Sequence, residues 1–177
     1  MKARLAAIFL LAFSAAGSAQ WKDESGKPIA DNEWRKSKDG LGGMLVLAGN
    51  YNEFIKSWAS GDENTVAQVK PVTELKHGDN AAVLIFFAGC GKPAEKCTLD
   101  ADIKVIAPDG STYGDLKDRK AFDAVLEKPE NLSLSNAMAM LRIEPNDKPG
   151  VYQVLATLRR PSTKTTIELK QTVRVVP

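Results

Sequence analysis

Leu99-Asp100-Ala101-Asp102-Ile103-Lys104-Val105-Ile106-Ala107 is the stretch that decides the fold class. Apolar side chains stand at every second position from Leu99 to Val105, and charged side chains stand between them. Since successive side chains of a strand point to opposite faces, this period of two predicts a strand with one buried and one solvated face. Such alternation is typical of antiparallel sheets. The turn sequence Pro108-Asp109-Gly110 ends the strand.

Further segments of apolar or alternating residues predict strands, and Gly, Pro and Asp turns separate them. They are Met44–Ala48, Val66–Leu75, Ala81–Ala88, Met138–Ile143, Val151–Leu158 and Thr165–Val176. Pro71 indicates an edge position for Val66–Leu75. Segment 111–131 is charged and less regular, and within it the mixed charges of Asp115–Asp123 are expected to form a solvated loop, with partner recognition as the alternative. About seven short strands at this spacing indicate an all-β protein, an antiparallel β-sandwich.

One short helix is predicted before most of the strands. Asn50 suits the N-cap, and the helix stops at Ser60-Gly61. The apolar side chains fall at the helical spacing i, i+3, i+4, i+7, at Tyr51, Phe54, Ile55 and Trp58. We expect this helix to pack on the sheet, and the alternative is that its apolar face binds a peptide.

Residues 1–19 have the order of a cleavable signal peptide. Lys2 and Arg4 precede the apolar run Leu5–Ala16, and Gly17-Ser18-Ala19 provides small residues for cleavage. The apolar run is too short to span a bilayer, which needs about 20 residues. The sequence therefore predicts a periplasmic or secreted protein.

Charge balance excludes two classes of partner. The whole chain carries 24 basic and 22 acidic residues, and removal of Lys2 and Arg4 with the signal peptide leaves 22 of each. A chain without net charge lacks the electrostatic footprint of nucleic-acid binding and of polybasic membrane docking. No later stretch is long and apolar enough to span a membrane.

The mature chain is predicted to form one β-sandwich domain, residues 41–177, after an irregular N-terminal arm, residues 20–40. The arm is polar, but it carries Trp21 and Trp34. Because a purely solvated tail would hardly carry such side chains, we expect these tryptophans to dock the arm on the domain. The alternative is that Trp21 and Trp34 contact a partner protein.

The two cysteines, Cys90 and Cys97, are expected to form a disulfide, because an even pair in an oxidising compartment does so most simply. Its short loop predicts a contribution of about 2–3 kcal/mol to stability. The spacing is not the Cys-x-x-Cys of redox sites, and two cysteines with one histidine do not complete a zinc site. No cofactor is predicted.

The run Ile143-Glu144-Pro145-Asn146-Asp147-Lys148-Pro149-Gly150-Val151-Tyr152 resembles the passage between strands E and F of immunoglobulin-like β-sandwich modules of exported bacterial proteins. The resemblance covers residues 66–176. It implies a structural corner at Asp147, Gly150 and Tyr152, with the Tyr152 hydroxyl bound to upstream backbone. Because the cysteines are too close together for an inter-sheet bridge and no tryptophan follows residue 60, the resemblance extends to the fold and not to a function.

No catalytic or metal-binding set stands out in the sequence. His77 is the only histidine, and no G-x-S-x-G elbow accompanies it. Asp100 and Asp102 share a strand face, but Lys104 on the same face opposes a cation. The glycines of segment 40–43 precede a strand, whereas phosphate binding needs a helix start.

These observations favour a non-catalytic secreted or periplasmic binding module that recognises another envelope or secreted protein through loops or an edge strand. The alternative is small-ligand or inhibitor-type binding, in a pocket between the predicted helix and the sheet. A hydrolase that uses His77 is the third hypothesis.

Overall fold

The computed structural model describes Trp21, residues 27–60 and residues 69–177, so the expected signal peptide lies outside the described residues. The described part contains nine strands and one α-helix. The strands are β1 (Arg35–Lys38), β2 (Leu41–Ala48), β3 (Glu74–Lys76), β4 (Asn80–Ala88), β5 (Lys96–Ile106), β6 (Thr112–Val125), β7 (Ser133–Arg142), β8 (Gly150–Arg160) and β9 (Thr165–Val176), and the helix is α1 (Tyr51–Ser60).

Two sheets face each other. The first has four strands in the order β1-β2-β4-β7, and the second has five in the order β3-β9-β8-β5-β6. All neighbouring strands are antiparallel except β3 and β9, which are parallel. The described chain is therefore an all-β, sandwich-like fold with one helix, as the alternating pattern predicts.

The main core lies between the sheets and is built from alternate residues of their strands. In β5 every second side chain from Cys97 to Val105 is buried, while the residues between them are partly exposed. Phe87 of the first sheet meets Phe122 of the second with ring centroids 5.1 Å apart. The period of two in the sequence thus marks the face that enters the core.

A second, smaller core lies on the outer face of the four-stranded sheet, under α1. Phe54 and Trp58 of the helix pack on Phe86 of β4, with ring centroids 5.9 and 5.6 Å apart. Because β4 is covered on both faces, seven consecutive residues, 81–87, are buried. This explains why its sequence is continuously apolar and does not alternate.

The prediction of a solvated loop at Asp115–Asp123 is wrong. Residues Thr112–Val125 form β6, the longest strand, which pairs with β5. Its register shifts three times along β5, and Asp118 has a positive φ of 50°. Each shift displaces the alternation of buried and exposed positions, so no period of two survives in the sequence.

Several predicted bounds differ from those of the structure, and the strand count in the described residues is nine rather than about seven. The predicted strands Met44–Ala48 and Met138–Ile143 begin earlier, β2 at Leu41 and β7 at Ser133. Arg35–Lys38, inside the arm expected to be irregular, forms β1. Of the predicted strand Val66–Leu75, residues 66–68 lie outside the described residues, and β3 covers only Glu74–Lys76. Pro71 forms an isolated bridge with Ala48.

Candidate functional site

The edges of the two sheets differ in how they are protected against pairing with another strand. β1 is four residues long with three basic side chains, and β3 is three residues long with a charge at each end. β6 is long, but it carries charged side chains at segment 117–120 and three irregularities. Short length, charge and bulges are the usual protections of an edge strand.

β7 is neither short nor charged along most of its length, and its one register shift against β4 lies between Leu134 and Met138. It has ten residues, and no charged side chain precedes its last residue, Arg142. Among the described residues it is hydrogen-bonded to a strand on one side only, the β4 side. Met140, near its end, is 51% exposed. β7 is thus an uncharged open edge.

The backbone groups that face this open edge can be identified from the hydrogen bonds at the end of β7. Ile143 donates to the Asp79 carbonyl and accepts from the Gly78 N–H, so its groups point to the β4 side. Because residues of an antiparallel strand alternate in this direction, Arg142, Met140 and Met138 point the other way. The Arg142 carbonyl accepts from the Tyr113 hydroxyl at 2.6 Å.

A cleft of about 390 Å³ opens between the facing edges of β6 and β7. Its volume lies in the range of about 300–1,000 Å³ that is usual for ligand pockets. The lining comes from four strands and is mostly apolar; it consists of Val83, Ile103, Val105, Tyr113, Gly114, Asp115, Leu116, Met138, Ala139, Met140 and Leu141. We define these residues as the β6–β7 cleft.

Gly114 widens this cleft. It pairs with Val105, whose side chain points between the sheets, so a side chain at position 114 would point there too. A Cβ atom built on Gly114 meets no atom within 4 Å, whereas one on Gly43 meets Ile167 and Leu169 at 3.4 Å. The space beside Gly114 is therefore open.

The ionisable groups at the rim of the cleft have partners within the protein. The Tyr113 hydroxyl lies 2.5 Å from the Asp147 carboxylate and 2.6 Å from the Arg142 carbonyl, so its one proton is shared between two acceptors. The pKa of Tyr113 is raised above its usual value, mainly by burial and next by the hydrogen bond to Asp147. Asp115 pairs with Lys117 at 3.3 Å. The rim thus presents no unpaired charge to the cleft.

The predicted corner residues come together beside Tyr113. The Tyr152 hydroxyl donates to the Lys148 carbonyl at 3.1 Å, and the Tyr113 and Tyr152 rings meet edge to face at 5.3 Å. Gly150 has φ 144°, and a Cβ there would lie 2.7 Å from Pro108. Only glycine fits this position. Asp147 also accepts from the Glu144 N–H at 2.6 Å.

His77 is held by backbone at the same corner. Its Nε2 lies 2.9 Å from the Asp147 carbonyl oxygen, which can only accept, so Nε2 carries the proton. The carboxylate of the same Asp147 binds the Tyr113 hydroxyl. His77 therefore connects its own turn to the turn that contains Asp147.

Asp100 and Asp102 lie on the outer face of the five-stranded sheet, each beside a cation. Asp102 binds the guanidinium of Arg159 in a bidentate pair, and Asp100 lies 2.6 Å from Lys120. The bond to Arg159 lowers the pKa of Asp102 below its usual range. No group of three potential metal ligands occurs among the described side chains.

The two aromatic residues of the arm contact the domain. The Trp21 Nε1 donates to the Lys36 carbonyl at 3.2 Å, and its ring lies 3.1 Å from the Cβ position of Gly42. The Trp34 carbonyl accepts from Leu45 at 2.8 Å, and the Arg35 guanidinium lies 5.0 Å from the Trp34 ring centroid. Both tryptophans are half-buried.

The pocket expected between the helix and the sheet is occupied by side chains of the protein itself. Phe54 is fully buried there, against Trp58 and Phe86. The cleft lies instead between the sheets at the β6 and β7 edges. Sequence reasoning missed Tyr113 and Gly114, because they lie in the segment whose alternation the register shifts obscure.

Cys90 and Cys97 form a disulfide, with Cα atoms 5.6 Å apart. Both are buried, and the bridge closes the loop between β4 and β5. It lies in the main core, away from the cleft lining.

The part of the chain that the structure describes contains no helix that could span a membrane.

No protein-family model matches the chain, and no curated protein matches its sequence. Among solved structures, a family 123 glycoside hydrolase from Clostridium perfringens is similar at 10% identity and TM-score 0.44, over 77% of this chain and 27% of that one. The CARDB domain of a Pyrococcus furiosus protein, solved with di-metal ions, is similar at 10% identity and TM-score 0.42, over 83% and 98%. The Bacillus subtilis sporulation control protein Spo0M is similar at 10% identity and TM-score 0.41, over 78% and 50%. At these scores none of the likenesses bears on function.

Proposed function

We propose that this chain is a non-catalytic binding module that recognises an extended segment of another protein by adding it as a strand to the open edge of β7. The observation that carries the proposal is the contrast between β7 and the other three edges of the two sheets. Those edges are short, charged or irregular. β7 is long, uncharged from Ser133 to Leu141 and in regular register on β4 from Met138 to Arg142, beyond its one register shift. An edge left without protection is typical of a strand that pairs with a partner.

The backbone geometry supports strand addition over a short length. The N–H and C=O groups of Met138 and Met140 face the open edge, and an added strand would pair with them about 4.8 Å away. The exposed Met140 side chain would lie beside the added strand on the outer face. Main-chain bonds of this kind give affinity with little demand on sequence.

The proposal includes a place of action outside the cytoplasm, in the periplasm or the extracellular space, and a partner that is itself an envelope or secreted protein. The disulfide between Cys90 and Cys97 supports it, because such bonds persist in oxidising compartments. The order of residues 1–19 supports it as well. We also propose that the sandwich is immunoglobulin-like, on the strength of the Tyr152 corner.

The test is selection of a random-peptide library, displayed on phage, against the purified mature chain and two variants of Met140. Met140→Pro removes an N–H that points to the open edge and is not needed for pairing with β4. Met140→Val keeps that N–H and is the matched control. Thermal unfolding of all three proteins establishes that they fold.

We expect peptides enriched on the wild-type chain to lose at most about 3-fold in affinity on Met140→Val, which keeps the N–H but alters a side chain beside the added strand, and at least about 10-fold on Met140→Pro. The larger loss is expected because a lost backbone hydrogen bond and a misfitted ring together exceed about 1.4 kcal/mol. Isothermal titration calorimetry of the selected peptides measures this. Equal binding to folded Met140→Pro, or failure to enrich any peptide on the wild-type chain, would overturn the proposal.

A further inference from the structure

We infer that the β6–β7 cleft is the side-chain pocket of this edge site and receives one large apolar side chain of the added strand. The inference rests on the proposed function and names the chemistry of the partner segment. The partner would carry Leu, Ile, Met or Phe at the position that points between the sheets.

The first step is the register of an added strand. Ala139 and Leu141 of β7 pair with Val83 and Ala81 of β4, which are fully buried between the sheets. Neighbouring residues on paired strands share a face. The residues of an added strand that lie beside Ala139 and Leu141 would therefore also point between the sheets, where the cleft is.

The second step is the shape of the opening. Across the cleft from β7 stands β6, with Gly114 and Leu116 in its lining. Gly114 has no side chain, and nothing lies within 4 Å of its Cβ position. Ala139, on the β7 side of the lining, is also small. The two edges thus leave a volume of about 390 Å³ that side chains of the described residues do not fill.

The third step is the chemistry of the lining. Val83, Ile103 and Val105 form buried apolar parts of its wall. The charged group of Asp115 is paired with Lys117, and the one proton of the Tyr113 hydroxyl is shared between Asp147 and the Arg142 carbonyl. A charged occupant would lose its hydration without gaining a partner, so the cleft favours an uncharged apolar group.

The experiment repeats the peptide selection with two leucine substitutions on β6. Gly114→Leu places a side chain in the cleft. Thr112→Leu is the matched control, because Thr112 lies on the same strand, is exposed and pairs with Ile106 on the outer face. If Gly114→Leu does not fold, Gly114→Val provides a smaller side chain that suits a strand.

We expect peptides selected on the wild-type chain and on Thr112→Leu to share a large apolar residue at one position. Their affinity for Gly114→Leu should fall at least about 10-fold, because the apolar side chain is no longer buried. Replacing that residue of the peptide by alanine should weaken binding to the wild-type chain by a similar factor, and should weaken binding to Gly114→Leu much less.

The outcomes separate this inference from the proposed function. Peptides that are lost on Met140→Pro but bind Gly114→Leu as well as the wild-type chain would overturn the pocket and leave the edge site standing. A library that yields no binder to the wild-type chain would overturn both. Binding of the fluorescent apolar probe 1-anilinonaphthalene-8-sulfonate to the wild-type chain, abolished by Gly114→Leu while no peptide binds, would replace the edge site by a small-ligand pocket.

Discussion

Arg159 and Arg160 are adjacent in β8 and have opposite environments. Arg160 points between the sheets and is 8% exposed. Its guanidinium donates to the carbonyls of Asp39 and Gly89 at 2.6 and 3.2 Å and to the Thr163 hydroxyl at 2.7 Å. It thereby joins the start of β2, the disulfide loop and the turn before β9.

Arg160→Lys should lower the free energy of unfolding by about 2–3 kcal/mol, because one ammonium cannot satisfy the acceptors that the guanidinium fork reaches, and a buried acceptor left unpaired costs about 1–3 kcal/mol. Arg159→Lys is the matched control, since Arg159 pairs with Asp102 and Asp118 on the outer face. Such partly exposed pairs contribute up to about 1 kcal/mol. Urea unfolding of both variants measures the difference, and equal losses would contradict this assignment.

Tyr113 shows how one residue connects the corner to the cleft. Its ring packs on Tyr152, its hydroxyl binds Asp147, and the residue also lines the cleft. Tyr113 also binds the Arg142 carbonyl, which faces the open edge of β7. The corner therefore limits the pairing length of the open edge at its Arg142 end.

At the scale of elements, α1 is the structure that covers the outer face of the four-stranded sheet. Phe54 is 1% exposed and contacts both Trp58 and Phe86. Tyr51 adds a contact to β7, with its hydroxyl 3.2 Å from the Met138 sulfur. The helix thus packs against β4 and reaches Met138 of β7, a residue that also belongs to the cleft lining.

Phe54→Ala should lower the free energy of unfolding by about 3–4 kcal/mol, since it removes a fully buried ring and leaves a cavity. Asn52→Ala, in the same helix turn but exposed, should change it by less than about 0.5 kcal/mol. Chemical denaturation followed by tryptophan fluorescence measures both. A loss below about 1 kcal/mol for Phe54→Ala would show that the helix does not hold the sheet face.

The elements that the sequence predicts well are those whose environment is uniform along the strand or helix. Leu99–Ala107 alternates because β5 has one face in the core and one in solvent, and Thr165–Val176 matches the bounds of β9. The apolar spacing of Tyr51, Phe54 and Trp58 places α1 correctly. In each of these elements the apolar residues follow one period, because one face of the element is buried.

The elements that the sequence does not reveal lack such a face. β1 has no apolar side chain, and its place depends on backbone bonds to β2. In β6 the register shifts break the alternation around Asp118. The candidate site depends on strand order, because β7 is an edge and faces β6 only in the folded protein. Local patterns do not encode that order.

At the scale of the whole molecule, stability should depend on pH through charges on the outer face of the five-stranded sheet and in its turns. The pKa values of Asp102, Asp109 and Asp123 are lowered, first by hydrogen bonds to Arg159, Lys148 and Thr98 respectively. Burial raises the pKa values of Tyr113 and Tyr152. The aspartates therefore affect stability at acidic pH, and the tyrosines affect it at alkaline pH.

The direction in which stability changes with pH follows from the number of protons that the folded and unfolded states bind. A carboxylate with a lowered pKa binds fewer protons in the folded state, so its contribution is complete above the unfolded pKa of about 4 and is lost as pH falls toward the folded pKa. A tyrosine with a raised pKa contributes below the unfolded pKa of about 10, and that contribution is lost as pH rises above it. We therefore expect a plateau of stability between about pH 5 and pH 9.

Asp102→Asn tests the acid side of this plateau. The wild-type free energy of unfolding should fall between about pH 4 and pH 2, and the variant should be less stable on the plateau but lose less over the same interval, because the variant has no carboxylate to protonate there. Asp115→Asn, at a carboxylate of similar exposure that pairs with Lys117 instead of an arginine, is the control and should change the slope less than Asp102→Asn does. Urea unfolding at a series of pH values measures the slopes. If Asp102→Asn and the wild-type chain lost stability in parallel below pH 4, the pairing of Asp102 with Arg159 would not be the source of acid sensitivity, and carboxylates elsewhere in the fold would have to supply it.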